Sequence, residues 1–432
     1  TRWEECPDCQ ARMNLEGLED EHELQSWFIR RIEKFLDTKD RRLVGWDEIL
    51  EGGLAPKATV MSWRGTAGGI QAAKEFHDVI MSPTSHCYFD FYQGDPKFEP
   101  KAIGGFLPME KVYSYQPTPE GLSAEEAKHI LGAQGNVWTE YIPTEDHVEY
   151  MAVPRMCALA EVVWTPEEKK DFELFEYRMK AHYKRLDAMN VSYRVPIPIV
   201  SNSSFVFLKE FTLELHKAVD GAKILFTTNG DDPADGGQEY TEPMVFTEST
   251  QIKAVIQMPS GHSSATIDID LDKQELVEGL ELVRQEGVSY SLVEGSFKTV
   301  EDFKDLKPDK SGDMDQPGLQ EDFPSTYGVT FRGYIEIERA GIYRFYTESD
   351  DGSVLKVRGQ VIVNNDGLHA PKEVSGEIAL GQGWHPFELC YFQAGGGKVL
   401  ELKYSAEEFE KKSIPKEKLA SFSSGMKMLK MN

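Results

Sequence analysis

The sequence predicts a multidomain chain: an α/β segment of repeated strand–helix units, followed by two all-β domains. Three observations carry that prediction. Short apolar runs alternate with amphipathic helical patterns up to about Asn190. A Pro-rich stretch, Arg194-Val-Pro-Ile-Pro-Ile-Val200, then marks a linker. Beyond it, short β-branched and aromatic segments are separated by Gly/Asp turns, as in small β-sandwiches.

Residues 21–37 place Leu24, Phe28, Ile32 and Phe35 three or four apart, so the spacing predicts an amphipathic helix. Leu43 to Gly45 comes next as a short buried strand, and Val60-Met61 as a second. A helix over Gly69 to Phe76 precedes the strand Asp78-Val-Ile-Met81, and Ser123 to Lys128 precedes Ile130-Leu-Gly-Ala133. Strands alternating with helices imply a parallel sheet. Two further helical segments are expected at Met151 to Val163 and Phe172 to Leu186. Four such units make half of a (β/α)8 barrel; either the other half lies outside this chain or the architecture is something smaller. The predicted segments are 1–195 for the α/β part, 200–273 for a small β-sandwich, 277–406 for a second β domain and 407–432 for a tail.

The chain has 432 residues and a formal charge of −26. Nucleic acid and anionic membranes require a concentrated basic face, so that charge argues against both as partners. No apolar run approaches the roughly 20 residues that span a bilayer. No signal segment leads the chain, but Thr1 is not an initiator methionine, so that absence carries no weight. Five cysteines specify no disulfide framework. Cys6-Pro-Asp-Cys9 is half of a zinc knuckle without a second half, which leaves a local disulfide or two free thiols.

Four clusters each come after a predicted strand: Leu43-Val-Gly-Trp-Asp-Glu48, Val60-Met-Ser-Trp-Arg-Gly65, Cys87-Tyr-Phe-Asp-Phe-Tyr92 and Gly135-Asn-Val-Trp-Thr-Glu140. Ligand sites of parallel α/β folds lie beyond the carboxyl ends of the strands. A tryptophan after a buried strand is ordinarily core. Three at successive strand ends, beside carboxylates, point instead to a sugar, whose C–H faces stack on rings while its hydroxyls bond to acids. Trp164 at a helix end is read as structural, and Arg155 as a solvated or structural salt bridge.

With Trp46-Asp47, Trp63-Arg-Gly65, Tyr88-Phe-Asp90 and Gly132-Ala-Gln-Gly-Asn-Val-Trp-Thr-Glu140 in this order, residues 1–190 resemble the glycoside hydrolase family 20 β-N-acetylhexosaminidases. Residues 200–272 resemble the small Fn3-like β-sandwich appended to many of them, through Phe226-Thr-Thr-Asn-Gly-Asp-Asp-Pro233 and Tyr240-Thr-Glu-Pro243. The part from 278 to 405 resembles a PA14 domain, through Gly333-Tyr-Ile-Glu-Ile337, Ser349-Asp-Asp-Gly-Ser353, Asn365-Asp-Gly-Leu-His369 and Gly383-Trp-His-Pro386.

The resemblance implies that residues 1–195 are the second half of a TIM-type barrel and that catalysis is substrate-assisted and retaining. It implies that Tyr88 donates to the acetamido oxygen, that Trp46, Trp63 and Trp138 line the acetamido pocket, and that Asp90 and Glu140 accept from sugar hydroxyls. Glycans containing N-acetylhexosamine are the implied partner, and a bacterial extracellular, periplasmic or cell-surface location is implied. No cofactor is expected, with Asp350 and Asp351 weak candidates for calcium and Asp366 and His369 turn-forming residues.

The family's acidic pair sits in a His-x-Gly-Gly-Asp-Glu segment that continues into a stretch like Thr1-Arg-Trp-Glu-Glu-Cys-Pro7, so the resemblance implies a chain beginning just after its catalytic Glu. Asp20-Glu21 and Asp47-Glu48 lack the preceding His-x-Gly-Gly. A missing general acid costs roughly 10²- to 10⁴-fold in rate, so the chain alone is expected not to hydrolyse an aryl β-N-acetylglucosaminide. The rival expectation is a non-catalytic carbohydrate-binding protein that uses the same pocket and the PA14 module.

Overall fold

The computed structural model describes residues 2–281 and 285–421. It divides into two compact units, one of Thr1–Ile199, Leu215–Thr241 and Lys253–Asp268, the other of Val200–Glu214, Glu242–Ile252 and Ile269–Asn432. The division runs through the segment 200–273.

In the first unit, β1 (Val44–Trp46), β2 (Thr59–Ser62), β3 (Val79–Met81) and β4 (Ile130–Ala133) form a parallel sheet in sequence order. All four expected strands are present within a residue or two. The helices are α1 (Pro7–Glu16), α2 (Glu21–Asp37), α3 (Ala67–Lys74), α4 (Thr84–Cys87), α5 (Met109–Tyr113), α6 (Ala124–Ala127), α7 (Glu145–Ala152), α8 (Arg155–Trp164) and α9 (Phe172–Ala188). Several of their starts are set by capping. Asp20 accepts from the Glu23 N–H at 2.9 Å, Asp171 from Leu174 at 2.9 Å, and Ser123 and Glu126 form a reciprocal capping box. The helix expected from Met151 divides at Val153-Pro154, because proline cannot continue the helix that precedes it. Gly69 lets α3 lie directly on the sheet, since a Cβ there would stand 2.6 Å from Met81 Sδ.

The apolar stripe expected of α2 does not face inward as a whole. Leu24 is buried, but Phe28 and Phe35 are 53% and 58% exposed. The buried side also carries Ser26 and Glu33, which bond to the backbone of the segment after β1: Ser26 Oγ donates to Gly53 O, and Glu33 accepts from Lys57 N at 2.6 Å. The 3.6-residue period locates a stripe without saying which side the sheet takes. Strands Lys223–Thr227, Gln238–Glu239 and residues 253–257 pair in antiparallel fashion within this unit.

In the second unit, Tyr327–Ile337 pairs along its whole length with Gly383–Gln393, and Gly341–Asp350 pairs with both Lys372–Leu380 and Val399–Ala406. Tyr327, Phe331, Phe345, Leu355, Leu389, Tyr391 and Tyr404 build its apolar core. Where the sequence ended the β domain at 406, the structure continues it. Phe409–Ser413 pairs with Lys403 to Ala406, and Leu419–Ser421 joins Tyr334 and Ile335. The run Glu410-Lys-Lys412 looks like a solvated tail because only Phe409, 4.8 Å from the Tyr404 ring, turns inward. The rest of the expected tail, 422–432, lies outside the described residues. No helix among the described residues is long and apolar enough to cross a membrane.

Candidate active site

Because β1 to β4 are parallel and adjacent, the residues just past their ends emerge at one edge of the sheet. Trp46 ends β1. Its ring lies 6.4 Å from Trp63 beyond β2, edge-on at 80°, and 5.8 Å from Trp138 beyond β4. Trp63 in turn stacks on Tyr88, 6.4 Å away and 29° from parallel. Four aromatic side chains separated by up to 92 positions in sequence therefore form one continuous wall.

Asp47 and Glu48, the acidic pair after β1, hold this wall in place. Asp47 is buried, and its carboxylate accepts from the N–H groups of Trp63 at 3.0 Å and Arg64 at 3.2 Å and from Arg64 Nε at 2.5 Å. Glu48 receives the Trp63 indole N–H at 3.0 and 3.1 Å.

Tyr88 sits between residues that pair with Asn136. Asn136 N donates to Cys87 O and Phe89 N donates to Asn136 O, each at 2.7 Å. Gly135 permits this approach, since a Cβ there would lie 2.5 Å from the Phe89 ring. Burial pushes the Tyr88 phenol up from its ordinary value, against the pull of a hydrogen bond with Trp138, so it stays protonated and able to donate at neutral pH.

Asp90 is 5% exposed, and its Oδ1 has no hydrogen-bond partner among the described residues. Burial pushes its carboxyl up to about 6; the nearby charge of Glu140 adds to the shift, and that of Arg155 opposes it. Glu140 itself is exposed.

Among the described residues Arg155 makes neither a solvated contact nor the expected salt bridge. Fully buried, it donates to the carbonyls of Phe89 (2.5 Å), Phe91 (2.9 Å), Leu107 (3.1 Å) and Met151 (2.6 and 3.2 Å), with its guanidinium 5.2 Å from the Phe89 ring centre. Desolvation brings it down to about 9, so it remains cationic at neutral pH. The same loop is anchored through Glu99, which accepts from Arg194 Nε at 2.7 Å and from the Tyr150 hydroxyl at 2.6 Å. Sequence reasoning missed these clamps. The available signal was an arginine opening the apolar run Met156 to Ala160 with no acid one turn away. Trp164, expected to be structural, is 86% exposed.

Elsewhere, Cys6 and Cys9 are free thiols. Asp350 and Asp351 are buried at a turn of the second unit, where Asp351 accepts from Ala394 N at 2.7 Å. Among the described residues no group of three or more His, Cys, Asp or Glu could hold a metal ion. Asp366 accepts from Val300 N and Gly367 N, and the His369 ring nitrogens meet the Ala370 and Asn365 carbonyls, as turn residues do.

Residues 1–167 match the glycosyl hydrolase family 20 catalytic domain, 206–268 the chitobiase/beta-hexosaminidase C-terminal domain and 294–418 the PA14 domain. The chain is 36% identical over 409 residues to a beta-hexosaminidase of Porphyromonas gingivalis, an alignment that covers 91% of this chain and 52% of that protein. It is 37% identical over 161 residues to a beta-hexosaminidase of Vibrio furnissii, covering 37% of this chain and 26% of that one. A solved family 20 exo-β-N-acetylglucosaminidase of Vibrio harveyi, in complex with N-acetylglucosamine, is 32% identical over 44% of this chain and 30% of its own, with a TM-score of 0.41. The chain thus spans about half the length of the first curated relative and less of the second. In succession, then, the chain carries a match to the glycosyl hydrolase family 20 catalytic domain, to the chitobiase/beta-hexosaminidase C-terminal domain and to the PA14 domain, and over 91% of its length it is similar to a curated beta-hexosaminidase.

Proposed function

We propose that this chain supplies the aromatic half of an active site that releases terminal N-acetylhexosamine from glycans by substrate-assisted, retaining hydrolysis. In this reading residues 1–195 are the second half of a (β/α)8 barrel, while 200–273 and 277–406 are accessory β domains of a secreted or periplasmic bacterial enzyme. The acetamido oxygen of the substrate attacks the anomeric carbon. The bond to the leaving oxygen breaks as that oxygen takes a proton from a carboxylic acid, and a cyclic oxazolinium ion forms. Water then opens the ring from the opposite face, so configuration is retained.

Tyr88 donates to the acetamido oxygen and fixes it in line with the anomeric carbon. Trp46, Trp63 and Trp138 enclose the acetamido methyl and the sugar face. Asp90 and Glu140 accept from ring hydroxyls. The observation that carries this reading is the continuous wall from Trp138 through Trp46 and Trp63 to Tyr88, with an unpartnered buried carboxylate oxygen of Asp90 close by. A sugar hydroxyl is the donor that oxygen lacks, and a buried acceptor left without one costs roughly 1–3 kcal/mol.

In this proposal the proton comes from a carboxyl group outside these 432 residues, and Asp47 and Glu48 do not stand in for it, being engaged with Trp63 or Arg64. That engagement also favours the rival, a protein that binds N-acetylhexosamine glycans without cutting them. One experiment separates the two. The chain alone should leave an aryl β-N-acetylglucosaminide intact, and a separately purified segment bearing the His-x-Gly-Gly-Asp-Glu motif should restore hydrolysis. Tyr88→Phe should then lower the restored rate by roughly 10²-fold or more, the loss typical of one transition-state donor. Two folded partners that bind the sugar and never hydrolyse it would support the rival, and hydrolysis by the chain alone would remove the need for an external acid.

A further inference from the structure

Where β2, β3 and β4 stop, a chain of buried polar groups takes over from the ladder of backbone bonds. Ser82 follows β3 and is wholly buried. Its N–H donates to the carbonyl of Ser62, the last residue of β2, at 2.8 Å, and its hydroxyl donates to Gln134 O, just past β4, at 2.9 Å. The same hydroxyl oxygen accepts from Asn136 Nδ2 at 2.7 Å. One serine therefore joins three neighbouring strand ends. An apolar residue in its place would leave the Asn136 amide and the Gln134 carbonyl without these bonds, and buried polar groups in native proteins are almost always bonded.

Asn136 carries the connection onward. Its Oδ1 accepts from Gln134 Nε2 at 2.8 Å, its N–H donates to Cys87 O and its carbonyl accepts from Phe89 N, the last two each at 2.7 Å. Each hydrogen-bonding group of this buried residue is thus engaged inside the protein, as suits a residue that fixes its neighbours in a fully satisfied network. Tyr88 lies between the two backbone bonds and pairs with Asn136 in a parallel bridge, and Trp138 follows two residues later. At the other end of the chain, Ser62 Oγ donates to Gly65 O at 2.8 Å and accepts from Gly69 N at 3.0 Å, closing the turn that carries Trp63. The turns bearing Trp63, Tyr88 and Trp138 are all tied to Ser82, through Ser62 or through Asn136.

We infer that Ser82 and Asn136 are positioning residues for the aromatic wall: the hydrogen bond they share holds Tyr88 and Trp138 in register with Trp63 and so sets how well the wall fits an N-acetylhexosamine. The two act through the groups they hold, not by touching the sugar. The choice of sugar rests on the function proposed above, whereas the positioning of the rings rests on the hydrogen bonds alone.

The test uses the full chain and two readouts. Trp46 contacts both Trp63 and Trp138, and indoles this close give an exciton couplet in far-ultraviolet circular dichroism whose amplitude follows their mutual angle. Trp46→Phe identifies the couplet by abolishing it. Ser82→Ala, measured well below its unfolding midpoint, should lose most of the couplet and bind N-acetylglucosamine about tenfold more weakly, the change that one displaced hydrogen bond produces. Asn136→Ala keeps both backbone bonds to Cys87 and Phe89; it should move both readouts the same way, and it carries the test if Ser82→Ala does not fold. Ser264→Ala is the control for a merely structural loss. Ser264 is buried and bonded outside this network, accepting from Ile256 N and donating to Ala265 O, so its loss should lower the unfolding midpoint and leave couplet and affinity unchanged. An intact couplet in both Ser82→Ala and Asn136→Ala, an equal loss of it in Ser264→Ala, or a lost couplet with unchanged affinity would each overturn the inference. A wild-type chain that does not bind N-acetylglucosamine, with the couplet still lost in both variants, would support the positioning of the rings and count against the sugar reading instead.

Discussion

In the parallel sheet the strands run three or four residues, whereas in the second unit Tyr327–Ile337 and Gly383–Gln393 pair over eleven. Strands this short cannot by themselves position the loops at their carboxyl ends. Those long connecting loops are tied by a few buried charged groups: Arg155 on four carbonyls, Asp47 on two N–H groups and a guanidinium, and Glu99 on Arg194 and Tyr150. In the second unit, by contrast, order is spread over many equivalent cross-strand pairs around a continuous apolar core. Concentrated clamps allow irregular backbone to present Tyr88 and Asp90 at a ligand, at the cost of making single residues decisive.

Paired substitutions would break this contrast most sharply. Arg155→Met orphans buried carbonyls at roughly 1–3 kcal/mol each. Amides of residues 88–107 should therefore exchange with deuterium at least about 100-fold faster, about 3 kcal/mol of lost protection, while those of 327–337 are unchanged. Phe331→Ala should cost about 3–5 kcal/mol through the cavity it leaves, shared across its paired strands, without altering the 88–107 segment. Loss of protection in both places from Arg155→Met would show that the clamp is not local.

The next effect is smaller and depends on pH. Folding raises the Asp90 carboxyl from 3.8 to about 6, mostly by burial. The unfolded chain therefore ionises first, and stability falls as pH rises from about 4 through 6; above that the full cost is present, and below the unfolded value it vanishes. Two pKa units correspond to about 3 kcal/mol as an upper bound. Asp90→Asn should accordingly raise the unfolding midpoint at pH 7 to 8, lose that advantage as pH falls toward 4, and weaken N-acetylglucosamine binding at neutral pH. A midpoint lowered at pH 7 would mean that Asp90 is structural, like Asp47, rather than waiting for a ligand.

Much of the parallel part was legible because apolar runs bounded by glycine and capping residues fix short buried strands, and a parallel sheet brings every carboxyl end to one edge. That is why Trp46, Trp63, Tyr88 and Trp138, read from four separate clusters, meet in one wall. The hidden contacts depended on partners without a side-chain signature. Arg155 binds backbone carbonyls, and Ser26 and Glu33 turn the more polar side of α2 inward by bonding to backbone after β1. No pattern of residue types marks a carbonyl that needs a donor. The strand Phe409–Ser413 was hidden for another reason: an edge strand with charged residues at alternate or successive positions reads as solvated tail.

Glu48 sets the finest distinction between the two ways of holding structure. Its carboxylate takes the Trp63 indole N–H with both oxygens, at 3.0 and 3.1 Å, on a side chain that is only partly buried. Glu48→Gln keeps the shape and an acceptor oxygen but removes the charge, which should cost about 1 kcal/mol or less in stability. The indole, however, stands between Trp46 and Tyr88 in the wall. Its emission spectrum and the affinity for N-acetylglucosamine should therefore change together while the unfolding midpoint barely moves. If the midpoint fell with the spectrum unchanged, Glu48 would act as a general stabiliser of the turn after β1, and orientation of Trp63 would rest on Asp47 and ring packing alone.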